Sequence, residues 1–319
     1  MRISSLIIIV SFQFSTVSAQ NVRVVNPPER LPLPSASVAT VSPDGSRIAF
    51  SGEKFQKLFV ADSEGVGIHE LCSHAAAGWG HRWSPDGRFI AVRVNHPEQH
   101  TKRVGLEILD LETQKEIPVT DILPSRSRLS LPQWDAAHGK AQLSYTTRSG
   151  LEFKQIVFDD STVSVSNVDR QAASFSRWST DGLEIHAASK VQRVRPFRQP
   201  RTVLNSAWSP DRKASAVEFS GRPSFYVIPA DGKTPLLIDQ KGESPCWLND
   251  RFVVYMVTED DGYRITSGNI WIADKEGKVK KNLTEGLNEI ALYPSAAKNG
   301  TIVFTTESGA VYKMKVAVE

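Results

Sequence analysis

Residues 83–93 read WSPDGRFIAVR, and close variants recur: VSPDGSRIAF at 41–50, WSTDGLEIHAA at 178–188 and WSPDRKASAV at 208–217. The local chemistry of the stretch is that of a hairpin. Trp83 closes a short strand. Pro85 presets φ for a turn, Asp86 can bond its own nearby backbone, and Gly87 accepts a positive φ. Phe89-Ile90-Ala91-Val92 then begins a new strand. A third apolar segment follows in several units, as in Leu58–Asp62, Leu106–Leu111, Phe225–Ala230 and Asn269–Asp274, and ends in an Asp-containing turn. A weaker fourth follows in places, as in Ile68–Leu71 and Lys281–Thr284.

The starting points of these units are Val41, Trp83, Trp134, Trp178, Trp208, Trp247 and Tyr293, at gaps of 42, 51, 44, 30, 39 and 46 residues. Such a period, with four short strands per unit, is the pattern of a β-propeller. One blade cannot bury both its faces, whereas blades stacked in a ring can. The fold class expected is therefore all-β: a single closed β-propeller of four-stranded antiparallel blades. Seven blades are expected, with six as the alternative if the short unit from Trp178 to Trp208 is shared with a neighbour. The last unit, from Tyr293 on, supplies about three strands. Val22–Val25 is expected to add the fourth and clasp the ring.

Bulk composition agrees with a globular chain. The 319 residues are 40% hydrophobic and 23% charged, with a formal net charge of +3. That charge is too small to imply a nucleic-acid partner. Residues 1–19 read as a signal peptide: Arg2, the apolar run Leu6–Val10, and Val17-Ser18-Ala19 as a cleavage pattern. Cleavage after Ala19, no transmembrane span and a periplasmic or secreted product are expected. The domain reading is 1–19 signal peptide, 20–35 N-terminal segment and 36–319 propeller. Cys72 and Cys246 lie in distant units and read as two separate buried thiols; export leaves a disulfide open as the other reading.

Ser-Pro-Asp-Gly followed by an apolar strand, together with IWIADKEGKVKKNLTEG at 270–286, resembles the WD40-like repeats of TolB-like propellers over residues 36–319. The resemblance implies the propeller and an exported setting, and an interaction with envelope proteins. The N-terminal α/β domain of TolB has no counterpart in residues 20–35. Related repeats occur in prolyl-oligopeptidase-type peptidases and oligogalacturonate lyases, so the fold alone does not decide function.

No G-x-S-x-G elbow is present, which removes the propeller-bearing peptidases. His69, His74 and His81 fall close together, followed by His96 and His100. They read as surface-loop histidines, or, under a lyase reading, His69, His74 and His81 are the candidate metal ligands. No other metal site and no cofactor is expected. Asp44, Asp86, Asp181 and Asp211 read as turn formers; EDDG at 259–262 and Asp159-Asp160 read as solvated turns. The stretch KVQRVRPFRQPR at 190–201 holds Lys190, Arg193, Arg195, Arg198 and Arg201 around Phe197, with no acid among them. It reads as a solvated face, or as a contact surface for an anionic partner. Trp79, flanked by glycines, packs between blades or offers a stacking platform for a sugar. The reading is an exported, non-enzymatic, monomeric binding or scaffold module for an envelope protein or glycan. Its alternative is a metal-dependent polysaccharide lyase or another sugar-active propeller.

Overall fold

The computed structural model describes residues 22–318 apart from 99–100, 128, 138–139, 160–161, 169–173, 180–181, 188–189, 196, 198–201, 221–223 and 232. The signal-peptide reading, His100, Asp181, Arg198 and Arg201 lie outside the described residues.

The repeated hairpins build antiparallel sheets in chain order. Strand β1 (Val22–Arg30) precedes the first sheet, which is β2 (Ala39–Val41), β3 (Arg47–Ser51), β4 (Leu58–Asp62) and β5 (His69–Cys72). The second is β6 (Arg82–Trp83), β7 (Phe89–Glu98), β8 (Thr101–Asp110), β9 (Lys115–Pro118) and β10 (Leu123–Pro124), the last two both pairing with β8. The third is β11 (Gln133–Ala137), β12 (Lys140–Thr147), β13 (Gly150–Asp159) and β14 (Thr162–Asn167). The fourth has three strands among the described residues: β15 (Ser174–Ser179), β16 (Gly182–Ala187) and β17 (Lys190–Val194). Among the described residues, the short unit between Trp178 and Trp208 thus forms a sheet of its own with three strands.

The fifth sheet is β18 (Val203–Trp208), β19 (Ala214–Phe219), β20 (Phe225–Pro229) and β21 (Leu236–Asp239). The sixth is β22 (Gly242–Trp247), β23 (Phe252–Asp260), β24 (Ile265–Asp274) and β25 (Lys280–Asn282). The seventh is β26 (Ala291–Ala296), β27 (Thr301–Thr306) and β28 (Val311–Val318), completed by β1, which runs antiparallel to β28 from Val22↔Val318 to Arg30↔Tyr312. No helix among the described residues is long and apolar enough to cross a membrane.

In several units the second strand reads as a largely apolar run, and both its faces are covered. Every residue of β19 and of β27 is buried. Ala49, Leu58 and Cys72 of the first sheet pack on Ile90, Val92 and Val94 of the second. The other face of the second, through Phe89, Ala91 and Leu106, meets Leu143 and Tyr145 of the third. The fifth and sixth join through Phe225 and Tyr255, and the sixth and seventh through Phe252, Ile272 and Phe304. Val303 and Val311 of the seventh sheet pack on Ile48 and Phe50 of the first. Each fully buried Phe or Ile contributes about 1.5–3 kcal/mol of apolar burial.

The Ser-x-Asp signature is a turn lock. In the first two units and the fifth, the Ser hydroxyl donates to the Asp two residues on: Ser42 to Asp44 at 2.5 Å, Ser84 to Asp86, and Ser209 to Asp211 at 2.7 Å. The same Ser oxygen accepts the backbone N–H five residues on, from Arg47, Phe89 and Ala214. The Asp also accepts from the N–H of Ser46, Arg88 or Lys213. The recurrent Trp has a second task. Trp83 on β6 donates its indole N–H to Thr40 Oγ1 on β2 at 3.0 Å, Trp134 on β11 to the Arg82 carbonyl on β6 at 2.9 Å, and Trp247 on β22 to the Ala207 carbonyl on β18 at 2.8 Å. Each Trp thereby ties its sheet to the first strand of the sheet before it. Tyr293 holds the equivalent place on β26, where Ser295 Oγ instead accepts the N–H of Val41 on β2 at 3.1 Å.

Candidate functional site

The first strands of five sheets enclose a cavity of about 460 Å³, lined by residues of β2, β6, β18, β22 and β26. Its mouth carries exposed aromatic and apolar groups: Trp79, Leu204 and Tyr293. The Trp79 ring meets Phe55 edge to face at 4.7 Å. The lining also holds the exposed Arg82, the buried Glu218 and the half-buried Cys246. A second cavity of about 380 Å³ opens among the Ser-Pro-Asp turns and shares Arg82, Trp83 and Ser206 with the first. Its lining includes Trp134, Trp208, Pro43, Pro85, Pro210, Arg212 and Lys298, and no carboxylate.

The electrostatics follow from the walls. Arg82 is open to the cavity water yet ringed by protein, so desolvation pulls its pKa below the usual arginine value; the group keeps its charge, as arginine does in proteins. No carboxylate of a described residue pairs with it. Glu218 is buried on β19, and burial raises its pKa against the N–H of Ser244, which donates to its Oε2 at 2.9 Å. The turn acids Asp44 and Asp211 are held low, Asp44 at about 2, and in each the hydroxyl of the partner Ser is a cause. Asp44, Asp86 and Asp211 are committed to their turns. At the tip between β23 and β24, Asp261 accepts the N–H groups of Tyr263 and Arg264 at 2.9 and 3.0 Å.

His69, His74 and His81 are not brought together. His69 is exposed on β5. His81 is buried: its Nδ1 donates to the Gly78 carbonyl at 3.1 Å, and its Nε2 accepts from the Thr40 hydroxyl at 2.7 Å. Burial pushes its pKa down to about 4, so the ring is neutral. His74 joins a different set: its Nε2 lies 3.5 Å from Glu116 and 4.0 Å from Glu107, and its ring is 4.7 Å from that of His96. Cys72 completes this set, and neither it nor the others line the two cavities. Both cysteines are free thiols, each pushed up to about 12 by burial.

The basic stretch lies on β17 and the segment after it. Arg193 and Arg195 are exposed, Lys190 starts β17 opposite Ala187, and Phe197 is half-buried with its ring 5.2 Å from those of Phe219 and Tyr226. Trp79 faces the cavity mouth. Arg82, Arg212, Lys298 and Glu218 carry no local sequence signal of their own; they come near one another only through the packing of different sheets.

The chain matches solved structures along nearly its whole length. One is a chain of the mitotic checkpoint complex, at TM-score 0.56 and 13% identity, covering 99% of this chain and 98% of that one. Another is the β-propeller domain of Cps50 (Swd1) from Myceliophteria thermophila, at 0.55 and 11%, covering 91% and 100%. A third is oligogalacturonate lyase from Vibrio parahaemolyticus, at 0.53 and 14%, covering 93% and 96%. The fold is that of the β-propellers. At these identities the likeness extends to the fold alone. No family model matches the chain, and no curated protein matches it; the TolB-like family remains a resemblance carried by the repeats.

Proposed function

We propose that the protein is an exported binding module: a closed propeller of seven blades, clasped by β1, that takes an acidic segment of an envelope protein or glycan at its central cavities. The observation that carries this reading is the cavity among the Ser-Pro-Asp turns. There Arg82, Arg212 and Lys298 stand with Trp83, Trp134 and Trp208, in a lining that includes three cations and no acidic residue. Guanidinium and ammonium groups recognise carboxylates by charge-assisted hydrogen bonds, and indole faces add flat apolar contact area. The seven sheets in chain order, the packing of the seventh on the first and the pairing of β1 with β28 support the closed ring. The signal-like residues 1–19 support export, and with it an envelope partner.

The binding reading is preferred to the lyase because, of His69, His74 and His81, His81 alone lines one of the two cavities, and both its ring nitrogens are engaged by Gly78 and Thr40. It is tested by cross-linked capture from native envelope extract with the wild-type chain and with an Arg82→Gln/Arg212→Gln/Lys298→Gln chain. A partner retained by the wild type at low salt and lost both at high salt and in the variant is the expected result. A partner set identical for the two chains would overturn it.

A further inference from the structure

We propose that Cys72, His74, Glu107 and Glu116 form a binding site for a divalent ion of the zinc class, a staple across the seam between the first and second sheets. The site is separate from the central cavities and independent of the ligand proposed for them. One ligand atom from each of these four side chains lies within 4.8 Å of all the others. The His74 Nε2 distances of 3.5 Å to Glu116 Oε2 and 4.0 Å to Glu107 Oε1 compare with the ~3.3–3.7 Å edges of a tetrahedron drawn with zinc–ligand bonds. Small side-chain rotations close the remainder.

Strand register explains how the donors meet. Glu107 lies opposite Pro118 and Leu109 opposite Glu116, so Glu107 and Glu116 are diagonal neighbours on one face of the β8–β9 pair. Cys72 ends β5 of the adjacent sheet, and His74 follows two residues on. Gly105, two residues before Glu107 on the same face, adds no side chain there, and the His96 imidazole lies over it. His96 Nε2 reaches to 3.5 Å from Glu107 Oε1, the place of an outer partner that orients a ligating carboxylate.

The surroundings call for a cation. Glu107 and Glu116 face each other, and among the described residues neither pairs with a Lys or Arg. Glu107 is only 12% exposed at its side chain, and its Oε2 is buried without a hydrogen bond. A dication answers both the repulsion and the unmet oxygen. Thiolate and imidazole select zinc, or cobalt in its place, over magnesium and calcium. Four protein donors fill a tetrahedral shell, which makes the site structural. His74 and Glu116, 30% and 38% exposed at their side chains, leave a path for the ion to enter. On binding, the Cys72 thiol gives its proton to solvent and its sulfur becomes the fourth ligand.

The test loads the full chain with Zn²⁺ and, separately, with Co²⁺. Expected are stoichiometric zinc that survives dialysis, a raised thermal midpoint, and a cobalt spectrum with intense tetrahedral visible bands and a thiolate charge-transfer band. Cys72→Ser abolishes the charge-transfer band and weakens zinc binding by roughly 100-fold or more. Glu116→Gln, a change at an exposed strand position that leaves the fold intact, weakens it as well, and Cys246→Ser leaves both unchanged. A wild-type chain that takes up no zinc, or variants at Cys72 and Glu116 that bind it as tightly as wild type, would show a metal-free ion-pair cluster and overturn the proposal.

Discussion

Arg212 holds φ at +60° in the turn position that Gly45 and Gly87 occupy in their units, at +80° and +76°. A side chain there costs about 1–2 kcal/mol that glycine avoids. Arg212 also lines the turn-side cavity, its guanidinium 6.0 Å from the centre of the Trp208 ring. Backbone strain of this kind clusters at functional sites, and here it sits beside the cavity proposed to bind. Arg212→Gly is expected to stabilise the chain by about 1 kcal/mol while weakening acidic ligands several-fold; thermal unfolding and titration check the two halves. Equal or lower stability would remove the strain argument. His81 gives a pH signature. Its folded pKa, about 4, lies below the unfolded value near 6.5, so unfolding takes up a proton as pH falls. Its contribution is full above pH 6.5 and drains away down to about pH 4, by roughly 3 kcal/mol in all. Urea unfolding from pH 7.5 to 4.5 should show this slope in wild type and a shallower one in His81→Gln; parallel slopes would refute the assignment.

At the scale of elements, the hairpins were legible because their signals are local. Ser, Asp and the backbone they lock lie within five residues, and Trp83, Trp134, Trp178, Trp208 and Trp247 all fall on the first strands of their sheets. The reason for the Trp was not legible: its indole N–H binds the preceding sheet, some 40–50 residues away in sequence. The same holds for the cluster at Cys72. Glu107 and Glu116 look like ordinary strand acids until the β8–β9 register and the neighbouring sheet bring them to His74. Strand β1 carries a prediction of its own. Val22 is buried in the core of the last two sheets, and its carbonyl accepts from Lys281 Nζ at 3.0 Å. Removing residues 22–30 bares the edge of β28. The thermal midpoint should fall by roughly 10 °C, corresponding to several kcal/mol, with a rise in self-association. An unchanged midpoint would show that β1 does not clasp the fold.

For the whole molecule, the sequence period specified the architecture, while the proposed site is built from turns and first strands of different sheets that meet only in three dimensions. Lys190–Arg201, the most basic run of the chain, lines neither cavity among its described residues; the cations that converge with tryptophans are three that lie far apart in sequence, Arg82, Arg212 and Lys298. The most direct measurement is a tryptophan-fluorescence titration of the full chain with polyglutamate and with polygalacturonate, at low and high salt. Trp83, Trp134 and Trp208 report on the cavity. Saturable quenching by at least one of the probes, weakened by salt and lowered roughly tenfold or more in Arg82→Gln/Arg212→Gln/Lys298→Gln, is the result the account predicts. No response to either probe, or a triple variant that binds as tightly as wild type, would contradict it.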